Sequence, residues 1–248
     1  MTIFLTSSPS GPLDGSRPVE GLDEKNSFVK NLKKCWKDKA RCLIIAAAPS
    51  EHEGNDEMAA FFESAVKKAG LSVDFFEVWD DRNAEISKAE LHSWDVVFLG
   101  GGHVPTQNEF FRQIHLRDKL QDFAGIVIGI SAGTMNSADT VYAQPELPGE
   151  SVDPSYTRFL PGLGLTQTMI LPHYQMVKDS ELDGKRLYEE ITFGDSYGRC
   201  FLALPDGSYL MIQDGAETIW GEAYRVSEGT ITRICEDGSS TGIEAMQR

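Results

Sequence analysis

Apolar and polar positions alternate along this chain with two different periods. Ile3-Phe4-Leu5, Cys42 to Ala48, Trp94 to Leu99 and Ile126-Val127-Ile128 are short, almost unbroken apolar runs. Such runs predict strands buried on both faces of a parallel sheet, because a strand with one wet face would alternate. Leu71 to Phe76 reads as a further strand. Between these runs the spacing becomes helical. Asn26 is placed to cap a helix carrying Phe28, Val29, Leu32, Cys35 and Trp36. Met58 to Lys68 turns Phe61, Phe62, Ala65 and Val66 inward, and Gly70 stops it. Ala84 to Leu91 predicts a short helix, and Pro105 opens a longer one carrying Phe110, Phe111, Ile114 and Leu120.

Strand following helix in this order predicts an α/β fold, a parallel sheet with helices on both faces. Gly and Pro mark two long irregular stretches, the loop through Gly21 and the segment from Tyr142 to Gly164. The second lies close after Ser131 and reads either as a lid or substrate wall, or as a plain surface excursion. Thr168 to Leu171 predicts a strand, and Ser180 onward a helix through Leu187, Tyr188 and Ile191. Beyond Phe201 to Leu204 the pattern shortens. Tyr209–Ile212, Glu217–Trp220, Ala223–Val226 and Thr230–Ile234 predict an antiparallel meander packed on an edge of the main sheet. No linker divides the chain, so one domain is expected over residues 1–248.

Charge and cysteine usage narrow the partners. The formal net charge of −15 disfavours nucleic acid and anionic membranes, both of which reward Lys and Arg. No stretch approaches the apolar length of a membrane span, and Met1 to Thr6 lacks the basic lead of a signal peptide. Cys35, Cys42, Cys200 and Cys235 show no paired spacing and read as reduced thiols. A cytoplasmic protein is expected. The histidines show no metal-ligand spacing, and neither a P-loop nor a dinucleotide fingerprint occurs, so no metal and no cofactor is expected.

The candidate chemistry lies at strand ends. Gly129-Ile130-Ser131-Ala132-Gly133 follows an apolar run and precedes a segment able to start a helix at Thr134. Strand, tight turn, helix is the setting of a nucleophile elbow, with the serine hydroxyl at the tip. Gly100-Gly101-Gly102 ends the preceding strand, and functional residues of α/β sheets gather at such carboxyl ends. A serine nucleophile needs a base, and the base an orienting acid. Of the five histidines, His173 directly follows a strand and alone lies C-terminal to Ser131. An acid between the two would come from Asp139, Glu146, Glu150 or Asp153, but His173 then comes too early for an α/β-hydrolase sheet. An acid after His173, at a later strand end, is Asp206 in Leu204-Pro205-Asp206-Gly207, which also reads as ordinary turn chemistry.

These motifs, together with Leu171-Pro172-His173-Tyr174, resemble the dipeptidase E and cyanophycinase family of serine peptidases in order and separation. The resemblance covers most of the chain. It implies a three-layer, class I glutamine amidotransferase-like fold. It also implies Ser131 as nucleophile, His173 as general base and acid, Asp206 as orienting acid, and the amides of Gly102 and Ala132 as the oxyanion hole. Two departures stand out. Dipeptidase E usually carries glutamate where this chain has the shorter Asp206. It also follows the triple glycine with Asn-Thr, where this chain has His103-Val104-Pro105-Thr106-Gln107-Asn108. Specificity for an N-terminal aspartate therefore does not carry over. His103 and Gln107 become candidate substrate contacts, and Arg112, Arg158 and Lys178 candidate partners for a substrate carboxylate.

The expected function is a serine exopeptidase acting on short peptides, dipeptides in particular, in the manner of an aspartyl dipeptidase, as a monomer or homodimer. The rivals are a cyanophycinase-like β-aspartyl peptidase, an esterase, and a non-catalytic amidotransferase-like binding module.

Overall fold

The computed structural model describes residues 1–12, 15, 21–83 and 86–247. Most of the loop through Gly21, and the start of the helix expected from Ala84, lie outside them. In chain order the first half runs β1 (Thr2–Thr6), α1 (Phe28–Cys35), β2 (Ala40–Ile45), α2 (His52–Lys68), β3 (Val73–Trp79), α3 (Lys88–Leu91), β4 (Val96–Leu99), α4 (Val104–Gln113), α5 (Leu116–Lys119), β5 (Ile126–Ile130) and α6 (Ala132–Asn136). The second half runs β6 (Thr140–Tyr142), β7 (Phe159–Pro161), β8 (Met169–Leu171), α7 (Tyr174–Val177), β9 (Glu181–Leu182), β10 (Lys185–Arg186), α8 (Phe193–Asp195), β11 (Cys200–Ala203), β12 (Tyr209–Gln213), β13 (Ala216–Trp220), β14 (Ala223–Ser227), β15 (Thr230–Cys235) and β16 (Ser240–Gly242).

The main sheet has the order β16-β13-β12-β1-β5-β4-β2-β3. Strands β1, β5, β4, β2 and β3 are parallel, which accounts for their apolar runs. Alternate residues feed two buried clusters. Ile3, Leu5, Leu43, Ile45, Val97, Leu99 and Val127 meet Leu91 of α3, Phe110 and Phe111 of α4 and Leu116 of α5 on one face. Phe4, Cys42, Ile44, Phe98 and Ile128 meet Phe28, Val29 and Leu32 of α1 and Phe62 and Val66 of α2 on the other. Helices therefore cover both faces of the parallel region, in three layers.

The C-terminal strands are antiparallel, as expected, but they divide between two sheets. β12 pairs with β1 and continues the main sheet through β13 and β16. β14 and β15 instead join β11 and β8 in a second sheet, and that sheet packs on α6.

Several expected elements shift. Asn26 has a left-handed φ of 51° and does not cap α1. Its side chain spans the Gly207 carbonyl and the Gly238 amide, at 2.9 and 2.8 Å. The helix from Pro105 breaks at His115, φ 51°, into α4 and α5. The segment from 180 opens with the β9–β10 hairpin before a π-helical turn, Leu187–Thr192. The Tyr142–Gly164 stretch is bracketed by β6 and β7, which pair. No helix of the described residues is long and apolar enough to cross a membrane.

Candidate active site

Ser131 sits where β5 turns into α6. Its amide still bonds Thr6 of β1 at 3.2 Å, and its carbonyl accepts from Met135 at 3.0 Å. Between those two commitments the residue takes φ 49° and ψ −108°, a backbone conformation that costs energy for a non-glycine residue. The turn survives because it is braced. Thr6 Oγ1 donates to the Gly129 carbonyl at 2.7 Å, and Thr134 Oγ1 to the Thr6 carbonyl at 2.8 Å. Gly133 must be glycine, since a Cβ there would stand 2.2 Å from the Leu99 carbonyl oxygen.

His173 follows β8 in a left-handed conformation, φ 57°, which swings its ring toward β5. Nε2 lies 2.9 Å from Ser131 Oγ, and Nδ1 lies 2.7 Å from Asp206 Oδ1. Asp206 follows β11, and its side chain is fully buried. Burial alone would push its carboxyl up. Bonds from His173, Ser7 and Gln175 outweigh that and hold it below the usual carboxylate range. An ionised carboxylate only accepts, so His173 Nδ1 carries the proton and Nε2 is free to accept from the serine.

Ser7 and Gln175 are site residues that the motifs do not reveal. Ser7 Oγ donates to Asp206 Oδ1 at 2.7 Å and accepts the His173 amide at 2.7 Å. Gln175 grips Asp206 twice, donating to Oδ2 at 2.7 Å and accepting the Asp206 amide at 3.0 Å. These two hydrogen bonds hold the loop where the short aspartate reaches the imidazole. Ser7 stands at the carboxyl end of β1, so the strand-end rule points to it; Gln175 carries no sequence signal.

The glycine turn lies beside the serine. A Cβ on Gly101 would stand 3.5 Å from Ser131 Cβ, and one on Gly102 would meet Ala47 Cβ at 2.7 Å. Among the described residues, neither the Gly102 nor the Ala132 amide donates a backbone hydrogen bond.

The two candidate contacts differ in their settings. Gln107 is fully buried. Its nitrogen donates to the Gly100 carbonyl at 2.7 Å, and its oxygen accepts from Asn136 at 3.0 Å, so its polar atoms are spent bracing the glycine turn. His103 stands at the start of α4 with both ring nitrogens engaged, by Thr106 at 2.7 Å and Glu150 at 2.8 Å. Glu150 brings the Tyr142–Gly164 segment against the site, and burial raises the neighbouring Glu146 carboxyl. The three candidate cations are paired with acids: Arg112 with Glu109, Arg158 with Asp195 and Lys178 with Asp179. His52, Asp80 and Asp81 gather ligand-type side chains, but Arg82 and Asn55 already occupy the buried Asp80 carboxylate.

A cleft of about 240 Å³ opens beside Ser131, His173, Gly101 and Gly102. Comparison with known proteins bears on its use. The family model for peptidase family S51 matches residues 15–219. No curated protein matches by sequence. The crystal structure of a peptidase from an acI-B1 actinobacterium is 17% identical, with a TM-score of 0.65 over 98% of this chain and 96% of that one. A provisionally named peptidase E protein from Listeria monocytogenes EGD-e is 15% identical, with a TM-score of 0.55 over 94% and 98%. At these identities the likeness to both is one of fold.

Proposed function

Since the chain belongs to peptidase family S51 and is a serine peptidase, we propose that it is an exopeptidase hydrolysing short peptides, dipeptides above all, through Ser131, His173 and Asp206. The observation that carries this reading is the unbroken line from hydroxyl to imidazole to buried carboxylate, at 2.9 and 2.7 Å. His173 Nε2 takes the Ser131 proton as Oγ attacks the scissile carbonyl. Asp206 holds the ring in the required tautomer and stabilises the imidazolium that forms. The negative charge developing on the carbonyl oxygen is met by the Gly102 and Ala132 amides. Collapse of the tetrahedral intermediate breaks the C–N bond, and the imidazolium returns its proton to the departing amine. Water, deprotonated by the same nitrogen, then cleaves the acyl-serine and restores the resting site.

The strained turn at Ser131 supports the assignment, because backbone strain of this kind persists at functional residues. Ser131→Ala should lower hydrolysis of a dipeptide library by roughly a thousand-fold or more while leaving the circular dichroism spectrum unchanged. A fluorophosphonate probe should attach at residue 131, as read by peptide mass spectrometry. Hydrolysis surviving in the alanine variant would remove the basis of the mechanism.

A further inference from the structure

The cleft beside Ser131 has an unequal lining. Phe61 and Phe62 of α2, with Pro9 and Ile130, form an apolar wall, and Ser7, Ser8 and Ser10 add hydroxyl-bearing side chains. Among the described residues that line it there is no Lys or Arg. The phenyl wall is rigid: the Phe61 and Phe62 rings meet edge to face at 5.1 Å, and Phe62 packs on Phe98 of β4 at 5.8 Å. A carboxylate placed against such a wall would lose its hydration without an opposite charge in return from the described lining residues. The described side chains that flank the site at the start of α4 add two acids and no Lys or Arg. Glu146 accepts the Val104 amide at 3.2 Å, and Glu150 stands on His103.

The residue that becomes esterified to Ser131 has its α-carbon one bond from the attacked carbon. The void adjoining the serine and the glycine turn lies within reach of its side chain. At about 240 Å³ that void is smaller than a site for a whole drug-sized ligand and suits a single large side chain. We propose that this cleft is the subsite for the residue whose carbonyl Ser131 attacks, and that it selects a neutral apolar side chain, of leucine or phenylalanine size, over aspartate. The proposal rests on the peptidase reading above, with Ser131 as nucleophile. Phe61 is the specificity-determining residue, being the half-exposed member of the phenyl pair.

The test is a matched series of dipeptides, X-Leu with X as Phe, Leu, Ala, Lys or Asp, read alongside the reversed Leu-X series. The full chain should hydrolyse Phe-Leu and Leu-Leu with kcat/KM at least ten-fold above Asp-Leu and Lys-Leu. Phe61→Ala should lower kcat/KM for Phe-Leu at least five-fold and for Ala-Leu less than two-fold. Phe61→Arg should raise Asp-Leu relative to Phe-Leu. Asp-Leu equal to or above Phe-Leu in the unaltered chain would overturn the proposal. So would a preference confined to the Leu-X series, or equal losses for Phe-Leu and Ala-Leu in Phe61→Ala. Fluorophosphonate labelling separates the two levels. Labelled Ser131 with an aspartate preference overturns the subsite alone, whereas an unlabelled Ser131 with no dipeptide cleaved overturns the peptidase reading and the subsite with it.

Discussion

Asp206 shows how much one buried carboxylate depends on its neighbours. The bonds from His173, Ser7 and Gln175 hold its pKa below that of an unfolded chain, despite the burial that pushes the other way. A depressed folded value adds stability that is complete above the unfolded pKa and is lost as the pH falls through the folded one. The stability gap between the unaltered chain and Asp206→Asn, measured by urea unfolding, should therefore be constant near neutrality and shrink below about pH 4. In the peptidase reading the same variant loses the correct tautomer, and kcat should fall roughly 10³–10⁴-fold. A pH-independent gap would show that the carboxylate's bonds do not set its ionisation. The residue types and order of the hydrogen-bonded line were legible in sequence, because strand-end placement limits where reactive side chains gather. Its supports were less so: a serine and a glutamine have many bland uses, and only the fold brings Ser7 within reach of a residue 199 positions away.

At the scale of elements, the glycine turn and the start of α6 are locked to each other. The Gly100 carbonyl accepts from both the Gly133 amide, at 3.1 Å, and Gln107, while Asn136 of α6 closes the ring by bonding Gln107. Gln107→Leu would leave the Asn136 amide short of a partner in a fully buried setting, at a cost of roughly 1–3 kcal/mol. Thermal unfolding should record that loss, and kcat should fall more than KM rises if this ring positions the two amides of the proposed oxyanion hole. The central strands were readable from their apolar runs, since burial on both faces leaves little choice of residue. The segment from 180 is helical only from Leu187, because Asp183 and Gly184 interrupt it. Their φ angles of 54° and 77° instead form the tight turn of a hairpin. The split of the last hairpins between two sheets was also hidden. Alternating strands look alike whichever sheet receives them, and only the turn at Gly221, φ 90°, redirects the chain.

Taken whole, the molecule has no poised thiol among its four cysteines. Burial pushes Cys42 up to about 12 and raises Cys35, Cys200 and Cys235 as well. Thiols of this kind are poor nucleophiles at neutral pH. Iodoacetamide should leave peptide hydrolysis unchanged under conditions where a fluorophosphonate abolishes it; inactivation by the alkylating agent would place a reactive cysteine in the reaction. The seat of Ser7 has a further outcome for the life of the chain. The end of the first strand supports a carboxylate that emerges from the ribosome long afterwards, and β1 remains an open edge until β12 arrives to cover it. A chain halted before residue 206 lacks the carboxylate that accepts from Ser7 and His173. The hydrogen-bonded line thus closes only after Asp206 has been made, when the end of β1 and the loop after β11 first meet.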